Sequence, residues 1–131
     1  MTANNEGELM SENSTLLIVD DSKVSRMMIS RLIKIKRPGW NLVEAENGDK
    51  ALEISGANTI DFYSIDLNMP GIDGLEVIRQ LQHKLPDSRM ALMTANIQDA
   101  IKEEANNLGA TCIHKPVTEE SIDQMLEYFD G

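Results

Sequence analysis

Three features on which many proteins rely are scarce or missing in this sequence. Cysteine occurs once, at Cys112, so the chain cannot form an internal disulfide and does not require an oxidising compartment. No stretch approaches the roughly 20 apolar residues of a membrane span. The N-terminus, MTANNEGELMSENS, also lacks the positively charged start and apolar run of a secretion signal. We therefore expect a cytoplasmic protein that does not insert into membranes.

Basic residues are also few compared with acidic ones. The chain has 12 lysines and arginines against 22 aspartates and glutamates, which gives a formal net charge of -10. This balance disfavours nucleic acids and anionic lipid surfaces as partners, because both carry negative phosphates. Cationic partners and metal ions are favoured instead.

The length and composition indicate one globular domain. The chain has 131 residues, of which 41% are hydrophobic and 26% charged, values that are ordinary for a protein with a single buried core. We expect residues 1–13 to form a flexible tail and residues 14–131 to form the folded domain.

Five short apolar runs alternate with helical patterns along the chain. The runs are TLLIVD (15–20), NLVEAE (41–46), FYSIDL (62–67), RMALMT (89–94) and TCIHK (111–115). Strands that alternate with helices predict a parallel sheet with right-handed crossovers and helices on both faces. The expected fold is therefore α/β, with a doubly wound five-stranded parallel sheet.

The first helical pattern follows Ser22, which occupies the place of an N-cap, and stops at Pro38-Gly39. Apolar residues recur within it at helical spacing, which predicts that they line one face of a helix. They are Val24, Met27, Met28, Leu32 and Ile35. We interpret the eight methionines of the chain mostly as packing residues.

Polar residues stand at the ends of the predicted strands. Asp20 and Asp21 end and follow the first strand, Asp66 lies near the end of the third, Thr94 ends the fourth and Lys115 ends the fifth. Binding sites in open α/β sheets gather at the carboxyl ends of the strands. Because neighbouring strands lie roughly 4.8 Å apart, these side chains can converge on one patch.

The residue types at this edge favour phosphoryl chemistry with a metal ion. Three carboxylates in one pocket repel each other and require a cation, and oxygen ligands with open positions suit Mg²⁺. Lys115 supplies a positive charge and Thr94 a hydroxyl donor for the oxygens of a phosphoryl group. A carboxylate can also act as the nucleophile and form an acyl phosphate, and Asp66 is the central acid of the set.

Other interpretations explain the same residues less well. Taken singly, Asp20-Asp21 could be a common loop or helix cap, and Lys115 could be a solvated strand end. Their joint order along the edge disfavours a chance arrangement. A calcium loop in DLNMPGIDGLEV fails, because position 5 is Pro70 and position 12 is Val77 instead of glutamate. A nucleotide or flavin site is disfavoured because the turn DDSKVSR has no glycine-rich phosphate loop. The two histidines, His83 and His114, are interpreted as surface or packing residues.

Four motifs together resemble the receiver domain of two-component response regulators. They are IVDDS, IDLNMPGIDG, MTAN and HKP, and the likeness extends from about Thr15 to Phe129. The resemblance implies a flavodoxin-like (βα)5 fold with the strand order 2-1-3-4-5. Because no output domain is visible, the chain is similar to the stand-alone, chemotaxis-type members.

The family resemblance implies a role for each matching residue. Asp66 would accept a phosphoryl group from a histidine kinase or from small phosphodonors. Mg²⁺ would be held by Asp21, Asp66 and the backbone carbonyl of Asn68, with Asp20 acting through water. Such a domain catalyses its own phosphorylation and dephosphorylation and is not an enzyme acting on a separate substrate.

Further residues take their roles from the same resemblance. Thr94 and Lys115 would contact the phosphoryl oxygens, and the Lys115-Pro116 peptide bond would be cis. Asn68 and Asn96 match the positions that tune autodephosphorylation in the family.

One position departs from the family pattern. Members usually carry tyrosine or phenylalanine three residues before the lysine, where the ring turns inward on activation, but this chain has Cys112. A thiol is too small to fill that space, so we do not expect an aromatic rotamer switch.

Three functions are compatible with the sequence. The first is a phosphorylation-dependent switch, with chemotaxis as a candidate pathway, that binds an effector through the fourth helix, fifth strand and fifth helix. The second is a phosphate sink or phosphotransfer intermediate without its own output. The third, a degenerate module, is disfavoured because the set of Asp20, Asp21, Asp66, Thr94 and Lys115 is complete.

Overall fold

The computed structural model describes residues 13–131, which form a five-stranded sheet with five helices. The strands are β1 (Thr15–Val19), β2 (Asn41–Ala45), β3 (Phe62–Asp66), β4 (Arg89–Thr94) and β5 (Thr111–His114). The helices are α1 (Lys23–Lys36), α2 (Gly48–Ala57), α3 (Gly74–Lys84), α4 (Asp99–Asn107) and α5 (Glu119–Asp130). The predicted tail, residues 1–13, lies outside the described residues except for Asn13. Within residues 13–131, every helix is too short or too polar to cross a membrane.

The sheet is fully parallel, and its strand order is β2-β1-β3-β4-β5. This confirms the predicted α/β fold, in which every strand returns to the sheet through a helix. The order reverses beside β1, which lies between β2 and β3 although both follow it in the chain. The carboxyl ends of β1 and β3 are therefore neighbours, and binding sites are typical of such a position.

Two hydrophobic clusters cover the two faces of the sheet. Successive residues of β1 alternate between them: Leu17 and Val19 belong to the cluster with α2 and α3, whereas Leu16 and Ile18 belong to the cluster with α1 and α5. This is the period of two expected for a strand. All four side chains are at most 1% exposed, so the central strands are fixed between two helical layers.

The apolar residues that predicted α1 do not form its buried face. Four of these five residues are exposed: Val24 by 65%, Met27 by 51%, Met28 by 44% and Ile35 by 71%. The helix buries Ile29 and Ile33 instead, which lie four residues apart on the opposite side. The helix has apolar residues on two sides. The side with more apolar residues faces solvent, and the side with Ile29 and Ile33 is buried.

The interpretation of the methionines is right for some and wrong for others. Met69, Met90, Met93 and Met125 are buried, in agreement with a packing role. Met27 and Met28 lie on the exposed side of α1. Met1 and Met10 lie outside the described residues. Both histidines, His83 and His114, are exposed, as expected of surface residues.

An aromatic cluster closes the end of the domain at which the strands begin. The ring of Trp40 stacks on Phe62 with centroids 5.0 Å apart, and Phe62 stacks on Phe129 with centroids 4.7 Å apart. Trp40 precedes β2 and Phe62 starts β3, so the cluster is separated from the carboxyl edge by the length of a strand, roughly 15 Å. Trp40 fluorescence is therefore a poor reporter of metal binding at that edge.

Candidate functional site

Three carboxylates meet at the carboxyl ends of β1 and β3. Asp20 and Asp21 directly follow β1, and Asp66 is the last residue of β3. One oxygen from each lies within 4.8 Å of the others. Asp20 and Asp66 are only 2% and 7% exposed, whereas Asp21 is exposed. The cluster therefore has two buried members and one that faces solvent.

A lysine that directly follows the edge strand β5 reaches this cluster. The Lys115 Nζ atom lies 3.0 Å from Asp20 Oδ2 and 3.2 Å from Asp66 Oδ1. Its backbone N–H donates to the carbonyl of Thr94 at 3.0 Å, and the Lys115-Pro116 peptide bond is cis. Burial acts to lower the pKa of Lys115, but the bonds and charges of Asp20 and Asp66 outweigh it and raise that pKa. The lysine is therefore a stable cation between two acids.

The carboxylate of Asp20 is occupied by the protein itself. Its Oδ1 accepts a hydrogen bond from the backbone N–H of Ser22 at 2.8 Å, and its Oδ2 accepts one from Lys115 at 3.0 Å. No hydrogen bond or ion pair engages the Asp21 side chain within residues 13–131. Asp21 therefore has oxygens available for a ligand, whereas those of Asp20 are committed.

The environment of Asp66 disfavours its charged form. Burial raises the pKa of Asp66, the charge of Asp20 adds to this effect, and the opposite charge of Lys115 reduces it without cancelling it. An extra positive charge at this position would relieve the repulsion. The metal-free cluster is thus destabilised by its own charges.

We expect Asp66→Asn to stabilise the metal-free protein at neutral pH. The pKa of Asp66 is raised in the folded state, whereas in the unfolded chain it is near 3.8. The carboxyl group of Asp66 therefore stays protonated to a higher pH in the folded state than in the unfolded chain. Stability is therefore lost as the pH rises above the pKa of the unfolded chain and through the raised pKa. Asparagine avoids this loss, which we expect to be on the order of 1 kcal/mol.

Thermal unfolding in a chelator at several pH values checks this expectation. The difference between Asp66→Asn and wild type should be absent at acid pH and grow toward neutral pH. Asp87→Asn is the matched control, because Asp87 is an exposed acid in the loop before β4. An Asp66→Asn protein that gains no more stability than this control would contradict the prediction.

Thr94 and the two predicted tuning residues lie around the same edge. Thr94 ends β4 and is 1% exposed, and its Oγ1 accepts a hydrogen bond from the backbone N–H of Asn96 at 2.9 Å. That hydroxyl keeps its own proton for donation. Asn68 follows β3, and both Asn68 and Asn96 are exposed. The structure therefore holds Thr94 by its oxygen and leaves both asparagines open to solvent.

A cleft of about 470 Å³ opens beside Asp21. It is lined by residues that follow β2, among them Glu46 and Asp49, and by Pro70 and Gly71, which follow β3. Glu46 is not a member of the three-carboxylate cluster, and it follows β2, the edge strand. The cleft gives solvent access to the exposed member of the cluster.

Gly74 supports the site in a way that sequence reasoning missed. It starts α3, and its N–H donates to the carbonyl of Leu67 at 2.9 Å. A Cβ at this position would overlap the backbone carbonyl of Asp66 and would lie 2.8 Å from Leu92 Cδ1. The only available signal was the Asp73-Gly74 pair at a helix start, where Asp73 caps α3.

Arg26 is a second residue that sequence reasoning missed. Its Nη1 donates to the backbone carbonyl of Asp20 at 2.7 Å, and its Nε lies 2.9 Å from Glu44 Oε1. Nothing in the sequence pattern distinguishes it from the other arginines and lysines of α1. Its contact depends on a backbone atom that only the folded turn presents.

Cys112 lies on β5 where the family usually has an aromatic ring. It is partly buried and packs, like Ile101 and Leu108, against the hydrophobic cluster on the α2 and α3 face of the sheet, and burial raises the pKa of its thiol. That activation proceeds without an aromatic rotamer switch stays a prediction. The helix that precedes β5, α4, begins at Asp99 with Gln98 as its N-cap.

Comparison with known proteins gives consistent results. The response regulator receiver domain model matches residues 16–127. The sporulation initiation phosphotransferase F of Bacillus subtilis is 30% identical over 118 residues, which cover 89% of this chain and 94% of that protein. The chain spans only 28%, 9% and 14% of three longer curated relatives that it also matches.

Solved structures show the same fold. The chemotaxis response regulator CheY4 of Vibrio cholerae has a TM-score of 0.80 and 25% identity, with coverage of 89% of this chain and 98% of that one. A response regulator of Burkholderia pseudomallei, solved with a phosphorylated aspartic acid and a calcium ion, has a TM-score of 0.76 and 30% identity, with coverage of 87% and 66%. By its sequence and its fold, this chain belongs to the family of response regulator receiver domains.

Proposed function

We propose that this domain is a phosphorylation-dependent switch in which Asp66 accepts a phosphoryl group. The observation that carries the proposal is the contact of the buried Asp66 with Lys115 beside two further carboxylates. A buried carboxylate with only a structural role would be protonated or would form a single ion pair. Asp66 instead has a lysine partner, a raised pKa and an exposed acidic neighbour. Such perturbed groups are typical of functional sites.

Asp66, Lys115 and Thr94 each have a role in the proposed phosphoryl transfer. An Asp66 carboxylate oxygen attacks phosphorus and forms an O–P bond, while the bond from phosphorus to the donor's leaving atom breaks and its electron pair leaves with that atom. Lys115 moves from the Asp66 oxygen to a phosphoryl oxygen, and the Thr94 hydroxyl donates to another. The product is an acyl phosphate. Water later attacks the same phosphorus and breaks the bond between phosphorus and the Asp66 oxygen, which regenerates the carboxylate and releases inorganic phosphate.

The donor set fits a divalent metal ion. Hard carboxylate oxygens, one exposed ligand and room for water suit Mg²⁺. We place it on Asp21, Asp66 and the carbonyl of Asn68, with Asp20 acting through water, because the Asp20 oxygens already bind Ser22 and Lys115. When bound, the ion supplies positive charge for the phosphoryl oxygens. The phosphorylated aspartic acid and calcium ion of the Burkholderia pseudomallei protein support this assignment.

Receiver domains take part in two-component signalling, and we propose a histidine kinase as the phosphodonor here. For the effector we propose the face formed by α4, β5 and α5, where Tyr128 joins α5 to the α4–β5 turn by donating to the carbonyl of Gly109 at 3.1 Å. Exposed acids on this face, among them Glu103 and Glu127, favour a basic partner surface. We propose a cytoplasmic location and no nucleic acid partner.

Retention of an effector by the beryllofluoride-loaded protein distinguishes a switch from a phosphate sink or phosphotransfer intermediate. We expect immobilised protein with beryllofluoride and Mg²⁺ to retain a soluble protein at least about fivefold better than with Mg²⁺ alone, the lower end of usual coupling energies. Mass spectrometry quantifies the retained proteins, and the chemotaxis pathway is a candidate source of them.

Three variants control this experiment. Asp66→Asn should lose the difference between the two conditions, and Glu127→Lys on α5 should weaken retention, whereas Glu53→Lys on the distant α2 should not. Equal retention in both conditions favours the sink or intermediate. Retention that does not respond to Glu127→Lys contradicts the proposed effector face.

A further inference from the structure

Helix α1 is tied directly to the turn that carries the two acids after β1. Ser22 donates its N–H to Asp20 Oδ1 and also caps the helix, because its Oγ accepts from the N–H of Ser25 at 3.2 Å. Arg26, one turn later, donates to the backbone carbonyl of Asp20 at 2.7 Å. Two separate bonds thus link the start of α1 to Asp20.

The carbonyl of Asp20 needs this donor because the sheet offers it none. The N–H of Asp20 still pairs with the carbonyl of Ala45 at 3.1 Å, but β2 ends at that residue. A buried carbonyl without a hydrogen-bond partner destabilises the fold. The Arg26 side chain is only 14% exposed, and its guanidinium fork donates to the carbonyl and to Glu44 at the same time.

The carbonyl held by Arg26 belongs to the peptide bond that joins Asp20 to Asp21. Because this unit is planar, fixing its oxygen also fixes the N–Cα bond of Asp21. The Asp21 side chain makes no hydrogen bond or ion pair of its own within the described part of the chain, so its direction depends on its backbone. Arg26 therefore helps to fix the backbone from which the exposed carboxylate projects.

We infer that Arg26 is a positioning residue that aims Asp21 at the metal site, an inference that rests on the proposed binding of Mg²⁺. Two simple alternatives give different results. If only the charge of Arg26 mattered, its removal would tighten Mg²⁺ binding, because a nearby cation repels the ion. If Arg26 only stabilised the fold, its loss would lower the melting temperature and leave the affinity of the folded protein unchanged.

Calorimetric titration with Mg²⁺ tests the inference on the full chain. We expect Arg26→Gln to bind Mg²⁺ about tenfold more weakly, the usual scale for loss of a residue that orients a metal ligand. Asp21→Ala, which removes the proposed ligand itself, should lose at least as much. Arg37→Gln is the matched control, because Arg37 follows the other end of α1 and pairs with Asp130.

A second measurement needs no metal. Amide hydrogen exchange at Ser22 should be faster in Arg26→Gln than in Arg37→Gln, because the turn that orients this N–H is released. If Arg26→Gln does not fold, Arg26→Lys serves instead, since it keeps the charge and loses the fork; weaker Mg²⁺ binding then supports the inference.

The outcomes separate the inference from the function on which it rests. Unchanged or tighter Mg²⁺ binding in the Arg26 variant, with normal binding in wild type, overturns the role of Arg26 alone. Absence of Mg²⁺ binding in wild type overturns the proposed metal site and the inference with it. Equal weakening in Arg26→Gln and Arg37→Gln also overturns the inference, because Arg37 pairs with Asp130 at the other end of α1 and its loss does not release the carbonyl of Asp20.

Discussion

Asp66→Asn is expected to abolish phosphoryl uptake. Wild type treated with acetyl phosphate and Mg²⁺ should gain the mass of one phosphoryl group, and the variant should gain none. An amide oxygen carries no full negative charge and cannot form a stable acyl phosphate, so no residual activity is expected at this position. The asparagine keeps the size of the aspartate, so the packing around the end of β3 is preserved.

Intact-protein mass spectrometry gives this result directly. Asp61→Asn is the control, because it makes the same chemical change just before the first residue of the same strand, and it should gain mass like wild type. In Asp66→Asn, Lys115 loses the charge of Asp66 but keeps its ion pair with Asp20. A mass gain in Asp66→Asn equal to that of wild type would show that another residue is the phosphoacceptor.

The residues at the strand ends could be predicted because topology and sequence agree there. In a parallel sheet every carboxyl end lies on one edge, so Asp66 and Lys115 had to be near each other if the strands were identified correctly. Their contact of 3.2 Å joins residues 49 positions apart in the sequence. Strand periodicity and chain order predicted the shared edge, and the family resemblance supplied the strand order that brings the ends of β3 and β5 within reach of each other.

The packing of α1 could not be predicted in the same way. Its apolar residues lie on both sides, and the choice between Ile29 and Met28 depends on which side meets the sheet and α5. Ile29 and Ile33 pack in the cluster that contains residues of β1 and α5, and these partners lie far from α1 in the chain or on another element. Periodicity shows that a helix is amphipathic, but not which face it buries when both are apolar.

The supporting residues were missed for a different physical reason. Arg26 and Gly74 both act on backbone carbonyls, of Asp20 and Asp66 respectively. A side-chain motif carries no information about where a carbonyl will point. Such residues can be recognised only when the turn that presents the carbonyl is known.

Gly74→Ala is expected to damage both the stability and the chemistry of the domain. The added Cβ would overlap the carbonyl oxygen of Asp66 and lie 2.8 Å from Leu92 Cδ1. Backbone atoms cannot move aside as a flexible side chain can, so α3 must shift away from the end of β3. We expect a loss of about 1–3 kcal/mol in the free energy of unfolding, as for other overpacked sites.

The same shift should displace the phosphoacceptor. The crowded carbonyl and the carboxylate belong to one residue, so Asp66 cannot keep its distance to Lys115 while its backbone moves. A misplacement of about 1 Å at a reacting group can lower a rate by about 100-fold. We therefore expect slow phosphorylation of Gly74→Ala even at temperatures where the protein remains folded.

Gly56→Ala separates crowding from the general effect of replacing a glycine. Gly56 lies in α2, and a Cβ there would meet nothing within 4 Å, so we expect a gain of about 0.4–1 kcal/mol from reduced freedom of the unfolded chain. Thermal unfolding and the initial rate of mass gain from acetyl phosphate measure both variants. A Gly74→Ala protein as stable and as fast as wild type would show that the start of α3 does not constrain Asp66. A normal rate with reduced stability would show that the crowding is absorbed by α3 and Leu92, without movement of the phosphoacceptor.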